Sequence, residues 1–173
     1  PSPAPAVGPD HGHGDHAADR TDPLRRLEAE LLAMPPVAAL GLRIADAEGD
    51  RLSLHAPLAA NVNDKGCAFG GSLASLMTLA GWSLLTLRLL QAGVDADVYV
   101  AESEVKYRAP LFEDLRAAAR PAPDANDGGG LDAFVAAVAR QGRGELRVDA
   151  DVHCADGTLA CRSRSRFVAK RRG

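Results

Sequence analysis

One run of the chain, from Cys67 to Leu87, carries no charged side chain, and it constrains the fold more than any other feature. A helix of that length could cross a bilayer. However, serines, threonines and a glycine lower its hydropathy, and neither a basic cluster nor an aromatic belt marks its ends. Apolar residues recur at spacings of three and four, and the run is apolar nearly all round. The pattern therefore predicts a long helix buried in the core of a soluble domain.

Two consecutive glycines, Gly70 and Gly71, precede the apolar run Ser72 to Leu90. Without Cβ atoms they let another group approach the backbone closely. The first N–H groups of a helix have no partner within the helix and carry the positive end of its dipole, so they can stabilise a carbonyl oxygen that gains negative charge. Asn63, one short loop upstream, offers an amide that donates or accepts. These residues indicate an oxyanion site, or else an ordinary loop that ends in glycine.

The same residues resemble a known family. Asn63, Gly66, Phe69, Gly70 and Gly71 match the Asn-x-x-Gly-x-x-[His/Phe]-Gly-Gly pattern that precedes the long helix of hotdog-fold acyl-thioester enzymes. Pro-Pro-Val-Ala-Ala-Leu-Gly lies before the motif and Glu-Val-Lys-Tyr-Arg-Ala-Pro after it. With them the chain is similar, over about residues 24–170, to the thioesterase family named for the C-terminal domain of YiiD. The resemblance implies an α+β hotdog fold.

Alternating apolar and polar residues predict the remaining elements. Strands are expected at 41–47, 51–55, 94–108, 115–120, 145–154 and 159–167, and shorter helices at 23–34, 37–40 and 131–141. We therefore expect an antiparallel sheet of about six strands wrapped around the long central helix, in a single hotdog domain over residues 22–173. A bend is expected in the strand 94–108, where Glu102 and Glu104 would share one face and Ser103 the other.

Charges and cysteines narrow the class of protein. Alternating Asp residues in strand 145–154 and Arg residues in strand 159–167 predict cross-strand ion pairs on a solvated face. The alternative is that the Arg stripe binds an anion, such as that of a phosphopantetheine carrier. Cys154 and Cys161 are expected in the core, and His55 is expected to be a structural strand residue. A net charge of −3 gives no reason to expect nucleic acid or an anionic membrane as a partner. Three irregularly spaced cysteines predict neither disulfides nor a metal site, and a reducing cytoplasm is the expected location.

Residues 1–21 are rich in Pro, Ala, Gly, Asp and His and show no apolar periodicity. They are predicted to form a disordered tail. Its three histidines, His11, His13 and His16, could hold a metal ion, but a solvated tail is the favoured interpretation.

The resemblance also implies the site and its partners. Asn63, Gly70 and Gly71 would be catalytic, with Asp64, Phe69 and Ser72 against the substrate. No cofactor is expected, since the substrate itself carries CoA or phosphopantetheine, as an acyl-CoA or an acyl carrier protein. Such folds form homodimers or dimers of dimers with sites at the subunit boundary. Glu102, Ser103 and Glu104 of one subunit would then approach residues 63–71 of the other.

The chain departs from the better-known hotdog thioesterases at two positions. Thr78 stands seven residues past Gly71, where those relatives are expected to carry Asp or Glu, and Phe69 replaces their His. A threonine does not deprotonate water effectively near pH 7. Thr78 is therefore kept as a catalytic candidate only through its hydroxyl group.

Three functions follow. The first is thioester hydrolysis with a base from elsewhere, for which Asp64, Glu102 and Glu104 are candidates, or with Cys67 as nucleophile. The second is decarboxylation of a malonyl thioester, a step that primes fatty acid synthesis and needs only stabilisation of an enolate by Asn63, the glycine amides and Thr78. The third is binding of acyl thioesters without catalysis.

Overall fold

The structure is a computed structural model and describes residues 22–124 and 129–173. The predicted tail, residues 1–21, lies outside the described part. The described elements, in chain order, are α1 (Pro23–Leu32), α2 (Pro35–Ala38), β1 (Arg43–Glu48), β2 (Arg51–Ala56), a short 3-10 turn (Leu58–Ala60), α3 (Gly70–Gln91), β3 (Ala96–Tyr107), β4 (Leu115–Pro121), α4 (Gly130–Gln141), β5 (Arg143–His153) and β6 (Leu159–Arg171).

The six strands form one sheet in the order β1-β2-β4-β5-β6-β3, and every neighbouring pair is antiparallel. The sheet wraps α3, which packs against β2, β3, β4, β5 and β6. Helix α1 also packs against α3. The predicted α+β architecture, an antiparallel sheet around one long central helix, is confirmed.

The central helix is the core of the domain. By length and composition α3 could span a membrane, yet most of it is buried inside the protein. Leu76, Met77, Ala80, Leu84 and Leu85 are fully or almost fully buried. Each fully buried leucine contributes about 1.5–3 kcal/mol to folding. The helix ends at Gln91, and Gly93 beyond it has a φ of +66°, which suits a residue without a side chain.

One strip of α3 is left uncovered by the sheet. Gly71 and Ser75 are exposed, and Thr78, Leu79 and Trp82 are half-buried. These residues recur every three or four positions and lie on one side of the helix. We call this strip the open face of α3.

Close packing in the core explains a glycine in the middle of α3. A Cβ on Gly81 would lie 2.8 Å from the ring of Phe167 in β6. That ring is 1% exposed and cannot easily move aside. The glycine therefore allows helix and sheet to approach each other at this point.

One detail differs from the sequence expectation and another agrees with it. The spacing of Leu24, Leu27, Leu31 and Leu32 predicts that they form the apolar stripe of α1, but only Leu27 and Leu31 are buried, and Leu24 and Leu32 face solvent with 38% and 48% exposure. In β3, the register shifts between Val100 and Glu102, which is the bend expected there.

The outer face of the sheet, away from α3, carries a ladder of ion pairs. Asp151 accepts hydrogen bonds from Arg162 at 2.6 and 3.0 Å and from Arg120 at 3.2 Å. Asp149 is held by Arg164 at 2.7 and 2.8 Å. Both carboxylates are buried beneath their partners. The predicted pairing of the Asp and Arg stripes is confirmed, and it extends over three strands.

Two further expectations are met by residues of the strands. His55 Nε2 lies 3.2 Å from Asp114 Oδ2, which fixes the imidazole to the chain that follows β3. Cys161 is fully buried, and desolvation raises its pKa to about 11, so it stays a neutral core thiol. Cys154 is only partly buried.

Candidate active site

The first turn of α3 offers free N–H groups. The N-cap residue, Phe69, contributes no side-chain hydrogen bond. Among the residues that the structure describes, no protein acceptor is paired with the N–H of Gly70 or Gly71. These donors sit at the positive end of a 22-residue helix. They are therefore available to an oxygen atom of a ligand.

Two aromatic rings explain the two glycines. The Tyr107 ring lies against Gly70, where a Cβ would come within 3.4 Å of it, and the Tyr107 hydroxyl donates to the Gly70 carbonyl at 3.0 Å. The Phe69 ring lies over Gly71, in the space that a Cβ there would need. Desolvation raises the pKa of Tyr107, followed by a smaller effect of Cys161, so the hydroxyl remains a donor at neutral pH. A side chain at position 71 would therefore displace the Phe69 ring, whereas a Cβ at position 70 would make an ordinary van der Waals contact with Tyr107.

Asn63 organises the loop that leads into the helix. Its Oδ1 accepts the N–H groups of Lys65 at 2.8 Å and Cys67 at 3.3 Å, and its Nδ2 donates to Cys67 Sγ at 3.3 Å. The amide therefore closes the turn 63–67, and one N–H of Nδ2 is left for another acceptor. The sequence expectation placed this amide beside the glycine nitrogens on a substrate oxygen; the observed contacts are within the loop.

A second asparagine, Asn61, fixes the position of this loop. It is 3% exposed, and its Nδ2 donates to the carbonyl groups of Leu40 and Pro57 at 2.9 and 2.8 Å. Its own carbonyl accepts the N–H of Phe69 at 2.7 Å. The residue before α3 is thereby tied to the segments after α2 and β2.

A cleft of about 300 Å³ opens beside the first turn of α3. Its lining is mostly apolar, with one tyrosine and one arginine: Ala68, Gly70, Leu73, Tyr107, Arg108, Ala109, Pro110 and Leu111. This volume is at the small end of the range for ligand pockets. The cleft suits a small apolar group held next to the free helix N–H groups.

The other candidates near the helix start have clear positions. Asp64 is on the surface and paired with Lys65 at 2.9 Å, so its charge is already compensated. Ser72 is 8% exposed, in the first turn of α3. Thr78 lies on the open face of α3, about 10 Å along the axis from Gly71. Thr78 is therefore separated from the helix start of its own protomer by two turns.

The candidates on β3 are not brought to this cleft within one protomer. Glu102 lies 3.5 Å from Arg166 and Glu104 lies 3.0 Å from Lys106, both as ion pairs. Their cross-strand partners are arginines of the outer ladder. Ser103 faces the other way and shares a 2.8 Å hydrogen bond with Ser165. Glu102 is five positions, roughly 16 Å, along β3 from Tyr107.

The chemistry of the cleft is that of an oxyanion site without a base. None of the lining residues carries a carboxylate or an imidazole. Within residues 22–124 and 129–173, no three His, Cys, Asp or Glu side chains are grouped closely enough to hold a metal ion.

Two lining residues, Tyr107 and Arg108, carry no predicted role in the sequence analysis. Both belong to the Glu-Val-Lys-Tyr-Arg-Ala-Pro string that supports the family resemblance. The sequence feature that could have identified them is their position at the end of a predicted strand, just before Ala-Pro. Only the fold shows that this strand end meets the helix start.

The chain matches a known protein family. A family model described as "Putative thioesterase (yiiD_Cterm)" matches residues 25–171, which is most of the chain.

Solved structures share the fold. A Chlorobaculum tepidum protein of unknown function is 26% identical, with a TM-score of 0.76 over 86% of this chain and 94% of that one. A Shewanella oneidensis protein described as a putative thioesterase is also 26% identical, with a TM-score of 0.73 over 86% of this chain and 97% of that one. A thioesterase from Haemophilus influenzae, 19% identical with a TM-score of 0.64 over 86% of this chain and 90% of that one, supports the fold alone. The architecture is that of the hotdog thioesterases.

Proposed function

The chain belongs to the YiiD C-terminal family of putative thioesterases, and on that premise we propose that it processes acyl thioesters at the start of α3. The observation that carries the proposal is the uncapped first turn, whose Gly70 and Gly71 N–H groups are free beside the small cleft. A thioester carbonyl is a suitable acceptor for such donors, because it gains negative charge during the reaction.

The proposed reaction is hydrolysis of an acyl-CoA or acyl carrier protein thioester. The carbonyl oxygen would bind the glycine N–H groups and the remaining N–H of Asn63, with the acyl group in the cleft. Water adds to the carbonyl carbon, and the tetrahedral intermediate then expels the thiolate of CoA or phosphopantetheine. One donor of this kind is worth about 10²–10³ in kcat.

A homodimer is part of the proposal, because it would supply what the protomer lacks. β3 is an edge strand of 12 residues with one side unpaired, and Tyr99 and Val100 on it are about half exposed. The open face of α3 is uncovered as well. Long exposed edge strands are a liability that pairing with a second strand removes. The partner subunit would then provide the base for hydrolysis, and two such dimers could associate further.

A second candidate function is favoured by the absence of a base among the residues lining the cleft. In the decarboxylation of a malonyl thioester, the bond between the carboxylate carbon and Cα breaks and CO2 leaves. The electron pair forms an enolate whose oxygen the helix N–H groups stabilise, and protonation at Cα gives the acetyl thioester. This reaction requires no deprotonated water. Either activity would suit a reducing cytoplasm, since all three cysteines are free thiols.

A product assay distinguishes the candidates. The purified protein would be incubated with malonyl, short, medium and long acyl groups, each on CoA and on acyl carrier protein. Release of free thiol supports hydrolysis, whereas CO2 with a retained acetyl thioester supports decarboxylation. Tight binding without either product leaves a binding protein and contradicts both enzymatic proposals.

Two substitutions of one residue separate catalysis from loop structure. Asn63→Asp keeps the oxygen that accepts from Lys65 and Cys67 but removes the amide donor, whereas Asn63→Ala removes both. If the amide donates to the substrate, kcat falls by about 10²-fold or more in both variants. If Asn63 only organises the loop, Asn63→Asp keeps near wild-type kcat. Arg116→Gln, an exposed residue of β4 outside the cleft, is the matched control.

A further inference from the structure

The cleft at the start of α3 is positively charged without an internal counter-ion. It contains one charged side chain, that of Arg108, next to the positive end of the helix. No carboxylate is among the lining residues: Asp64 pairs with Lys65, and one oxygen of Glu113 accepts the N–H of Ala155 at 2.7 Å. The residues that line the cleft therefore supply no counter-charge to Arg108.

The backbone at Arg108 is firmly held while its guanidinium group is free. The N–H groups of Arg108 and Ala109 both donate to the Ala160 carbonyl, at 2.8 and 3.1 Å, and Pro110 follows. Among the described residues, none forms a hydrogen bond or ion pair with the Arg108 side chain. The base of this side chain is therefore anchored beside the cleft, and its five donors remain unused.

Three arginines of β6, the strand paired with β3, use their side chains differently. Arg162, Arg164 and Arg166 each contact at least one carboxylate. Their donors are used in holding strands together. Arg108 instead lies beside the mostly apolar cleft at the start of α3.

We propose that Arg108 is a specificity-determining residue that binds an anionic oxygen group of the thioester substrate. The inference rests on the proposed function for the choice of ligand. An arginine fork matches the geometry of carboxylate and phosphate oxygens, and charge-assisted bonds of this kind are the strong ones. A ligand with an apolar segment and one such anion fits the cleft, where the apolar floor and the guanidinium group lie side by side.

The anion could come from two parts of the substrate. A carboxylated acyl group carries one near the thioester carbonyl, and the pantetheine arm carries a phosphate at its far end. The two sources have different consequences for the reaction. An arginine that stabilises an acyl carboxylate opposes the loss of CO2, whereas an arginine that binds the phosphate is compatible with hydrolysis or decarboxylation.

The test measures binding, so that it does not depend on turnover. Four unreactive thioethers serve as probes: an ethyl and a carboxymethyl group, each on CoA and on N-acetylcysteamine, which has no phosphate. Dissociation constants are measured by calorimetry for the wild type, Arg108→Gln, Arg108→Lys and the control Arg116→Gln, and thermal unfolding checks that each variant is folded.

Two results support the inference. In the first, Arg108→Gln raises the Kd about tenfold or more for the two carboxymethyl probes and leaves the Kd of the two ethyl probes unchanged on either carrier, which assigns the anion to the acyl group. In the second, the same rise is seen for the two CoA probes and not for the two N-acetylcysteamine probes, which assigns the anion to the phosphate. In either case Arg108→Lys recovers part of the affinity because it keeps the charge, and Arg116→Gln binds as the wild type does.

Three results overturn the inference: unchanged affinities in Arg108→Gln, an equal loss for all four probes, or no binding by the wild type. The outcome is separable from that of the proposed function. A wild type that binds the probes through Arg108 but turns over no thioester contradicts the enzymatic proposal only. Turnover that is insensitive to Arg108 contradicts the role of Arg108 only.

Discussion

At the scale of single residues, contacts explain most of the motif that leads into α3. The sequence predicts that Gly70 and Gly71 allow a close approach, and the structure shows aromatic rings of Tyr107 and Phe69 in that space. Neither glycine has a positive φ, so turn geometry does not require them. Sequence reasoning could not name Tyr107, because it lies 37 positions from Gly70 and only the fold brings them together.

The first prediction concerns Tyr107→Phe. The variant keeps the ring against Gly70 but loses the hydrogen bond to the Gly70 carbonyl, so the first helical turn is less firmly positioned. We expect the free energy of unfolding to fall by about 0.5–1.5 kcal/mol and kcat for thioester turnover to fall with KM little changed. Stopped-time product assays and thermal unfolding measure the two effects.

Tyr99→Phe is the matched control for Tyr107→Phe. It also removes a hydroxyl from β3, eight positions from Tyr107, and keeps the ring on the strand edge that the proposed dimer would cover. It should leave kcat unchanged. Equal effects of the two substitutions on kcat would show that Tyr107 has no positioning role.

At the scale of elements, periodicity predicts the order and type of the main helices and strands, because each buries one regular face. The all-round apolar pattern of α3 identifies it as the core helix. Other features depend on packing between elements: the exposure of Leu24 and Leu32, the 3-10 turn, and the strip of α3 that the sheet leaves open. The apolar pattern of one helix does not tell which part of its surface the other elements leave uncovered.

Gly81→Ala tests the contact between α3 and β6. Alanine favours helix by about 1 kcal/mol over glycine, but its Cβ would be driven into the buried Phe167 ring. Overpacking of this kind costs about 1–3 kcal/mol, so we expect net destabilisation. Denaturant unfolding measures it, with Ser75→Ala on the open face of α3 as the control. A more stable Gly81→Ala protein would contradict the described packing.

The ladder between β5 and β6 makes stability depend on pH. Desolvation alone would raise the pKa of Asp151, but the hydrogen bonds and charges of Arg162 and Arg120 outweigh it and hold the pKa below its usual value. A carboxylate with a lowered folded pKa contributes stability above its unfolded pKa of about 3.9, and that contribution is lost as pH falls through the folded value.

Asp151→Asn should therefore destabilise the protein near pH 7 and have little effect at the acid end. Because the arginines are half exposed, we expect roughly 2 kcal/mol at pH 7, below the range for fully buried pairs. Urea unfolding of wild type and variant between pH 7 and pH 2 measures the difference. A difference that stays constant across this range would exclude the ionised pair as its source.

At the scale of the whole molecule, the sequence predicts the architecture and the region of the site, but not how the site is completed. Phe69, Gly70, Gly71 and Ser72 lie at the start of α3, whereas the Asn63 side chain forms its hydrogen bonds within the turn 63–67. Glu102 and Glu104 pair with Arg166 and Lys106 of their own protomer, and their approach to a partner's loop stays a prediction. None of the residues lining the cleft carries a carboxylate or an imidazole, so neither the sequence pattern nor the single protomer identifies a base for the proposed hydrolysis.

The last prediction concerns assembly through β3. Val100→Glu places a charge at the centre of the exposed edge and should convert the proposed dimer to monomer, as measured by light scattering during size-exclusion chromatography. Leu32→Glu, on α1, changes an equally exposed residue, 48% against 46%, and should remain dimeric. A Val100→Glu protein with the wild-type mass would place the interface elsewhere.

The contact between the Phe69 ring and the Gly71 backbone also constrains how this protein can change over evolutionary time. The ring occupies the volume that any side chain at position 71 would need. The two positions are therefore coupled: a lineage that acquires a larger residue at 71 must also turn the exposed Phe69 ring aside or shorten the residue at 69. Substitutions at 69 and 71 should then occur together among related sequences.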